Sequence, residues 1–310
     1  MSGEPLSPSR YRAVSFSPPM AAGRLCNALS IDVEDYFQVQ AFAGQIARAD
    51  WENYDWRFAA NSHRILDLLE EAGVKATFFT LGWVAERSKP LIRRMVNEGH
   101  EIASHGMAHF RADEQTAEEF RRDVADSKAI LEDIGGVAVK GYRAATFSIG
   151  AGNMWAFDIL AEEGYLYSSS INPVKHDLYG LPDAPRAPFY PRTDQAIPEI
   201  PMTTVCLMER NLPFSGGGFF RLLPYSVFKW GLQHVNRSDR LPCIFYMHPW
   251  EIDPLQPRIA DAPLKSRLRH YLNLGKTETR LKRLLSDFAW DRVDRVYSSV
   301  IHPVAGTGPA

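Results

Sequence analysis

The amino-acid sequence predicts an α/β protein built on a parallel sheet or barrel, and two patterns carry that prediction. In the first, a unit recurs in which a helical stretch ends at a glycine and an apolar strand begins at once. The four copies are EEAG then VKATFFTL, NEGH then EIASH, DIGG then VAVKGYRA, and EEG then YLYSSSI. Glycine just past a helix end takes the left-handed conformation that other residues resist. Alternating helix and buried strand is how a parallel sheet is strung together, with function gathered at the strands' C-terminal ends. In the second pattern, polar residues fall at those ends: Asp32 after the first apolar run, His105 after EIAS, Arg143 after VAVKGY.

Each element follows in order. The run CNALSIDVEDYF starts apolar and turns acidic, a buried strand leaving into a loop at Asp32. An aromatic connection follows (Phe42, Trp51, Tyr54, Trp56), and residues 58–72 carry helical spacing at Ile65, Leu66, Leu68 and Leu69. Thr116 and Glu119 form a capping-box signature ahead of a helix over residues 123–134. Residues 173–201 hold seven of the 21 prolines and little periodicity, the pattern of a long cap laid over the sheet, with a strand resuming near residue 199. The glycine cluster SGGGFFRLLPY lacks the endings of a P-loop or a dinucleotide fingerprint and reads as a mobile turn. LPCIFYM is another buried strand running into His248, which the following proline holds extended. Leu281, Leu284, Leu285 and Phe288 mark an amphipathic closing helix over residues 277–288.

Bulk properties exclude some classes. A formal net charge of −2 gives no electrostatic footprint for nucleic acid or an anionic membrane. The basic residues near the C-terminus (Lys265, Arg267, Arg269, Lys276, Arg280, Lys282, Arg283) are interleaved with acidic ones and read as a solvated helix face. No run of 18 apolar residues is present, so no membrane span is expected. Cys26, Cys206 and Cys243 are odd in number and lack disulfide-framework spacing, which suits a reducing compartment. Residues 1–25 are Ser/Pro-rich without a signal-type apolar region and are expected to be a disordered leader. The expectation is therefore one catalytic domain over residues 26–310, in the cytoplasm.

The chemistry centres on residues 99–110, GHEIASHGMAHF, which set His105 and His109 four apart after a strand. Two imidazoles at i and i+4 can face one divalent ion if the backbone between them curls into a helical turn. Gly106 stands where a zinc-protease helix would carry its general base, so the base must come from another loop. Asp32, Glu34 and Asp35 lie on one such loop and His248 on another, with Arg143 on a fourth. Two His and one carboxylate on a divalent ion leave room for water and a substrate carbonyl. A second carboxylate can take a proton, a histidine opposite can give one, and an arginine can orient the carboxylate.

SIDVEDYF, SHGMAH, GYRAATFS and FYMHPWE resemble, in order, four motifs of the NodB-homology polysaccharide deacetylases, carbohydrate esterase family four. DVEDYF, SGGGFFRLLPY and HPWEID resemble the subgroup tied to exopolysaccharide and exosortase loci. The resemblance runs from about residue 29 to the last helix. It implies a distorted (β/α) barrel and metal-dependent removal of N-acetyl groups from amino sugars. It implies Asp32 as catalytic base, His105 and His109 as metal ligands, Arg143 as the group orienting the base, and His248 as catalytic acid. The usual pair of adjacent aspartates is absent; Glu34, two residues from Asp32, is the implied third ligand and Asp35 the alternative. The third motif lacks its proline, and the amide of Thr146 is the positional match for an oxyanion donor. Trp250 is a candidate for stacking on a sugar ring. The ion expected is Zn2+, with Co2+, Ni2+ or Mn2+ compatible with the same donors. The partner expected is an amino-sugar glycan or its precursor. Two other functions fit the same residues less fully: an allantoinase-like hydrolase of a small or cyclic amide, and a non-catalytic glycan-binding barrel.

Overall fold

The computed structural model describes residues 11–14, 16–176, 179–191 and 197–302. Its centre is the strand Arg24–Val33, buried from Cys26 onward. Both of its faces are covered, so it alternates apolar with small or functional polar residues (Asn27, Ser30, Asp32) instead of exposing a polar face. Ile244–Met247 pairs with it in parallel on one side. Thr77–Thr80 and, nearer its start, Ala289–Asp291 pair with it in parallel on the other. Glu101–Ser104, Gly141–Tyr142 and Tyr167–Ser168 follow in order, all parallel. Beyond Ser168, among the described residues, single bridges continue the sheet: Ser168 to Glu199, Phe189 to Glu199 and Gly216 to Tyr246. Tyr246 donates its N–H to Ser215 O at 2.8 Å, and the backbone so comes round to the strand Ile244–Met247. The sheet thus curls into the distorted (β/α) barrel that the sequence predicts.

The helices sit outside and end as their sequences dictate. Phe58–Ala72 stops at Gly73, φ 65°, and buries Ile65, Leu66, Leu68 and Leu69. Ala117–Gly135 begins at a formed capping box: Thr116 N–H donates to Glu119 Oε2 at 2.8 Å and Glu119 N–H to Thr116 Oγ1 at 3.3 Å. Leu274–Asp287 buries Leu281, Leu284 and Leu285. No helix among the described residues is long and apolar enough to cross a membrane.

Three regions differ from expectation. The disordered leader expected over residues 1–25 lies outside the described residues as far as residue 10. From residue 11 the chain is laid on the barrel instead: Arg12–Ala13 pairs with Phe189–Tyr190, and Met20–Ala21 with the start of Arg24–Val33. Tyr11, edge-on to Phe189, and Phe16, tilted on Tyr297, break the Ser/Pro composition and give that segment something to pack. Where it is described, the proline-rich segment of residues 173–201 lends Tyr179 to the cleft lining and is also tied into the sheet. Glu199 and Phe189 exchange backbone hydrogen bonds at 2.8 and 3.1 Å, and Ile200 N–H donates to Ser168 O at 2.8 Å. The glycine cluster, read as a mobile turn, opens the helix Gly217–Leu222, with Phe220 and Arg221 buried.

Candidate metal centre

Asp32, Glu34, His105, His109 and His248 all line one cleft of about 160 Å³ at the C-terminal ends of the strands, together with Thr146 and Trp250. Side chains two apart on a strand share a face, so Ser30, Asp32 and Glu34 point to the same side. Glu34 Oε2 lies 2.8 Å from His109 Nε2. Ligand atoms of Glu34, His105 and His109 all lie within 4.8 Å of one another, and all three residues are buried.

The two histidines reach this position without the expected helical turn. The backbone between them is an irregular loop in which Gly106 (φ 78°) and His109 (φ 53°) are both left-handed. A Cβ at Gly106 would stand 2.8 Å from Asp123 Oδ2, and the same carboxylate accepts the N–H of Met107 at 2.8 Å. Arg48 clamps the far side, donating to the carbonyls of Ala108 and His109, both at 2.8 Å. His105 Nδ1 lies 2.8 Å from the carbonyl of Arg143, which can only accept, so Nδ1 carries the proton and Nε2 keeps its lone pair for a ligand. Burial pushes the His105 imidazole down to about 4, against the opposing pull of Asp32, so it is neutral at neutral pH as ligation requires. Burial alone would raise the Glu34 carboxyl; His109, His248 and His105 outweigh it and hold it at about 2. The donor set, two imidazoles and one carboxylate, all buried, suits a divalent transition ion.

Two buried charge pairs flank this set. On one side Arg143, fully buried, donates Nη1 to Asp32 Oδ1 at 2.6 Å and to Ser30 Oγ at 2.8 Å, while its Nε donates to Ser169 O at 3.0 Å. Its guanidinium carbon lies 4.0 Å from the Phe79 ring centre. On the other side His248 Nε2 faces Glu34 Oε1 at 3.6 Å, while its Nδ1 is 2.8 Å from Glu251 Oε1. Glu251 Oε2 in turn accepts from Arg221 Nε at 2.7 Å. Burial would raise the Glu251 carboxyl, but Arg221 and His248 hold it at about 2. Burial would likewise lower His248; Glu34 and Glu251 more than offset that and raise it to about 9.

Two site expectations change. Asp35 is not with the ligands: its Oδ2 accepts the N–H groups of Arg57 (2.6 Å) and Phe58 (2.9 Å), capping the first helix, and its Oδ1 accepts that of Tyr36. Burial pushes this carboxyl up to about 6. The residue after a strand end turns its side chain away from the face its predecessor occupies, which is why Glu34 and not Asp35 meets the imidazoles. Trp250 is only 5% exposed, its ring stacked near-parallel on His248 and His270, so it walls the cleft and is not an open sugar platform. Its Nε1 donates to Glu34 Oε1 at 3.4 Å. Thr146 does line the cleft, and it and Phe147 both take positive φ (56° and 51°), a strained pair in a row for a β-branched and an aromatic residue. Sequence reading missed Glu251 and Arg221. The signal was the three-residue spacing in HPWE, which brings Glu251 back onto the His248 ring and backbone N–H; nothing local marks Arg221, thirty residues upstream.

A larger cleft of about 730 Å³ opens at the barrel's other end, lined by Arg24, Arg237, Arg240 and Phe288 among others. It lies far from the strand ends that carry the ligand set and includes none of those residues.

A family model described as "Polysaccharide deacetylase" matches residues 52–164, a span that holds His105, His109 and Arg143. A second, described as "Domain of unknown function (DUF3473)", matches residues 169–298 and holds His248, Glu251 and Arg221. Among curated proteins, a peptidoglycan-N-acetylglucosamine deacetylase of Bacillus cereus is 36% identical over 69 residues, 22% of this chain and 32% of that protein. A chitooligosaccharide deacetylase of Sinorhizobium fredii is 53% identical over 45 residues, 14% of this chain and 21% of that protein. These matches thus span about a third or less of the relatives' own length. A crystal structure assigned as a polysaccharide deacetylase from Mycobacterium smegmatis superposes with a TM-score of 0.59 at 20% identity, covering 96% of this chain and 99% of that one. Residues 52–164 thus match the polysaccharide deacetylase family, and the fold of the chain is that of the Mycobacterium smegmatis structure.

Proposed function

We propose that this protein removes N-acetyl groups from an amino-sugar glycan or its precursor, in exopolysaccharide biosynthesis, using one divalent ion, Zn2+. The observation that carries this reading is the meeting of Glu34, His105 and His109 donors within 4.8 Å, at a cleft flanked by Asp32 on one side and His248 on the other. Those three residues would hold the ion, which when bound supplies Lewis acidity to the reacting amide. Asp32, oriented by Arg143, takes a proton from the attacking water. His248, its Nδ1 tied to Glu251, presents Nε2 to the cleft and gives a proton to the departing amine nitrogen as the C–N bond breaks. The new C–O bond leaves acetate, and the sugar keeps a free amine. Thr146, held in its strained conformation on the cleft wall, is the residue whose backbone N–H would meet the oxyanion. A cleft of about 160 Å³ is below the usual ~300 Å³ of a whole-ligand pocket, which suits an acetamido group inserted from a larger sugar. Three free cysteines, two of them buried, agree with a cytoplasmic setting.

The test is acetate release from N-acetylglucosamine oligosaccharides, with metal content measured on the same preparation. Chelation should abolish release and Zn2+ restore it. Protein that takes up no divalent ion, or that releases no acetate when loaded, overturns the reading.

A further inference from the structure

The helix Leu264–Tyr271 carries two unlike rows on its outer side. Leu264, Leu268 and Leu272 recur every four residues and form one stripe, 69%, 62% and 36% exposed; Leu255, in the preceding turn, is 82% exposed. Lys265 and Arg269 make a parallel exposed row one position on. Between residues 254 and 277 the chain has five basic residues (Arg258, Lys265, Arg267, Arg269, Lys276) and one acidic, Asp261. The sequence reading of these cations as a solvated face leaves the four leucines unexplained. An apolar stripe bordered by Lys and Arg is the make-up of a helix lying in a membrane interface, leucines at the acyl boundary and cations among anionic headgroups.

The inner side of the same helix is fixed to the candidate centre. His270 is buried, its ring 4.0 Å from that of Trp250, and its Nε2 lies 2.6 Å from Gln256 Oε1. Gln256 donates to the carbonyl of Trp250 at 2.8 Å. His270 also packs on Phe42 at 4.7 Å, and Val39 and Gln40, just before it, line the cleft. The leucine row therefore stands on the outer side of a helix whose inner side is packed against Trp250 of the cleft wall.

We propose that this face docks the protein on an anionic lipid bilayer, bringing the cleft to the headgroup layer where a lipid-carried glycan is presented. A second copy of the chain fits the face less well. In a two-fold contact the patch meets itself, and five cations with one acid would oppose their own kind. A few leucines give reversible, salt-sensitive attachment and not permanent anchoring.

The docking is tested without turnover, by flotation of the full chain with vesicles of phosphatidylcholine alone or mixed with phosphatidylglycerol. Binding is expected to the mixed vesicles and to weaken as salt rises. Leu264→Ser with Leu268→Ser should reduce the bound fraction by about tenfold or more, and Lys265→Glu with Arg269→Glu should remove the preference for phosphatidylglycerol. Circular dichroism should show both variants folded, and acetate release from a soluble oligosaccharide should be unchanged in both. Wild-type protein that stays with the soluble fraction, or folded variants that bind as it does, overturns the proposal. So does a dimer in sedimentation equilibrium that the serine variant dissolves while vesicles go unbound. Vesicle binding with this pattern in a protein that releases no acetate sinks the deacetylase reading alone.

Discussion

The two flanks of the candidate centre are built from the same parts and put them to different use. Each pairs a buried carboxylate with a buried arginine at hydrogen-bond distance: Asp32 with Arg143, and Glu251 with Arg221. On the first flank the carboxylate itself faces the cleft, and the arginine sets its direction. On the second the carboxylate stands one step back and hands its charge on to His248 Nδ1. A carboxylate at the cleft accepts a proton, whereas a carboxylate behind an imidazole keeps that imidazole charged and able to donate. In the proposed reaction, the number of side chains between the arginine and the cleft therefore decides which flank is base and which is acid. The first flank hangs on barrel strands and their ends; the second sits on the short turn Pro249–Ile252 and the helix Gly217–Leu222. A Cβ at Gly217 would overlap the Glu251 carboxylate, which is why a glycine opens that helix.

The widest gap between the flanks should show when each carboxylate becomes its amide. Asp32→Asn removes the proton acceptor, and kcat should fall by about 10³ with metal content unchanged. Glu251→Gln leaves His248 in place but without its partner charge, and kcat should fall by only about 10 to 100-fold with KM unchanged. Steady-state kinetics on both would break the comparison if the two losses came out equal. Each change strands a buried guanidinium, so urea unfolding should report a stability loss of about 3 kcal/mol for either one.

A smaller effect sharpens the second flank. His248 and His270 both stack on Trp250, yet Glu34 and Glu251 raise the first to about 9, while burial and Arg221 depress the second to about 3. His270 stays neutral in the fold but takes a proton when unfolded, so between pH ~6.5 and about 3 the unfolded chain binds more protons. Stability from this group is present above pH ~6.5 and falls on acidification, by up to about 1.4 kcal/mol per pH unit. Urea midpoints from pH 7 to 4 should show that slope, and His270→Gln should flatten it; an unchanged slope places the acid sensitivity elsewhere. The mildest change expected is Trp250→Phe, which keeps the stack and loses the long hydrogen bond to Glu34. Metal affinity by competition with a chelating dye should drop by about tenfold at most.

Much of this arrangement was legible from the chain alone, and the misses have a common form. The strand ends at Asp32, His105, Arg143 and His248 were readable because strand, turn and glycine cap follow from neighbouring residues. The helical turn expected between His105 and His109 was not found, because Gly106 gives way to Asp123, a residue on another helix. Asp35 was the alternative to Glu34 in sequence; it turns to the other face and is held there by the amides of Arg57 and Phe58, 22 and 23 residues on.

By itself, the sequence determined the alternation of helices and strands, the helix caps at Thr116 and Gly73, and the side of the barrel on which the polar residues gather. These depend on local dihedral preference and on a period of two or 3.6, which a few adjacent residues encode. Only the tertiary structure decided which carboxylate joins the two imidazoles, that Arg143 reaches Asp32 across 111 residues, and that Arg221 stands behind Glu251 and His248. Those choices rest on charge pairs buried together where water is excluded, and their partners are brought together by packing and not by spacing along the chain.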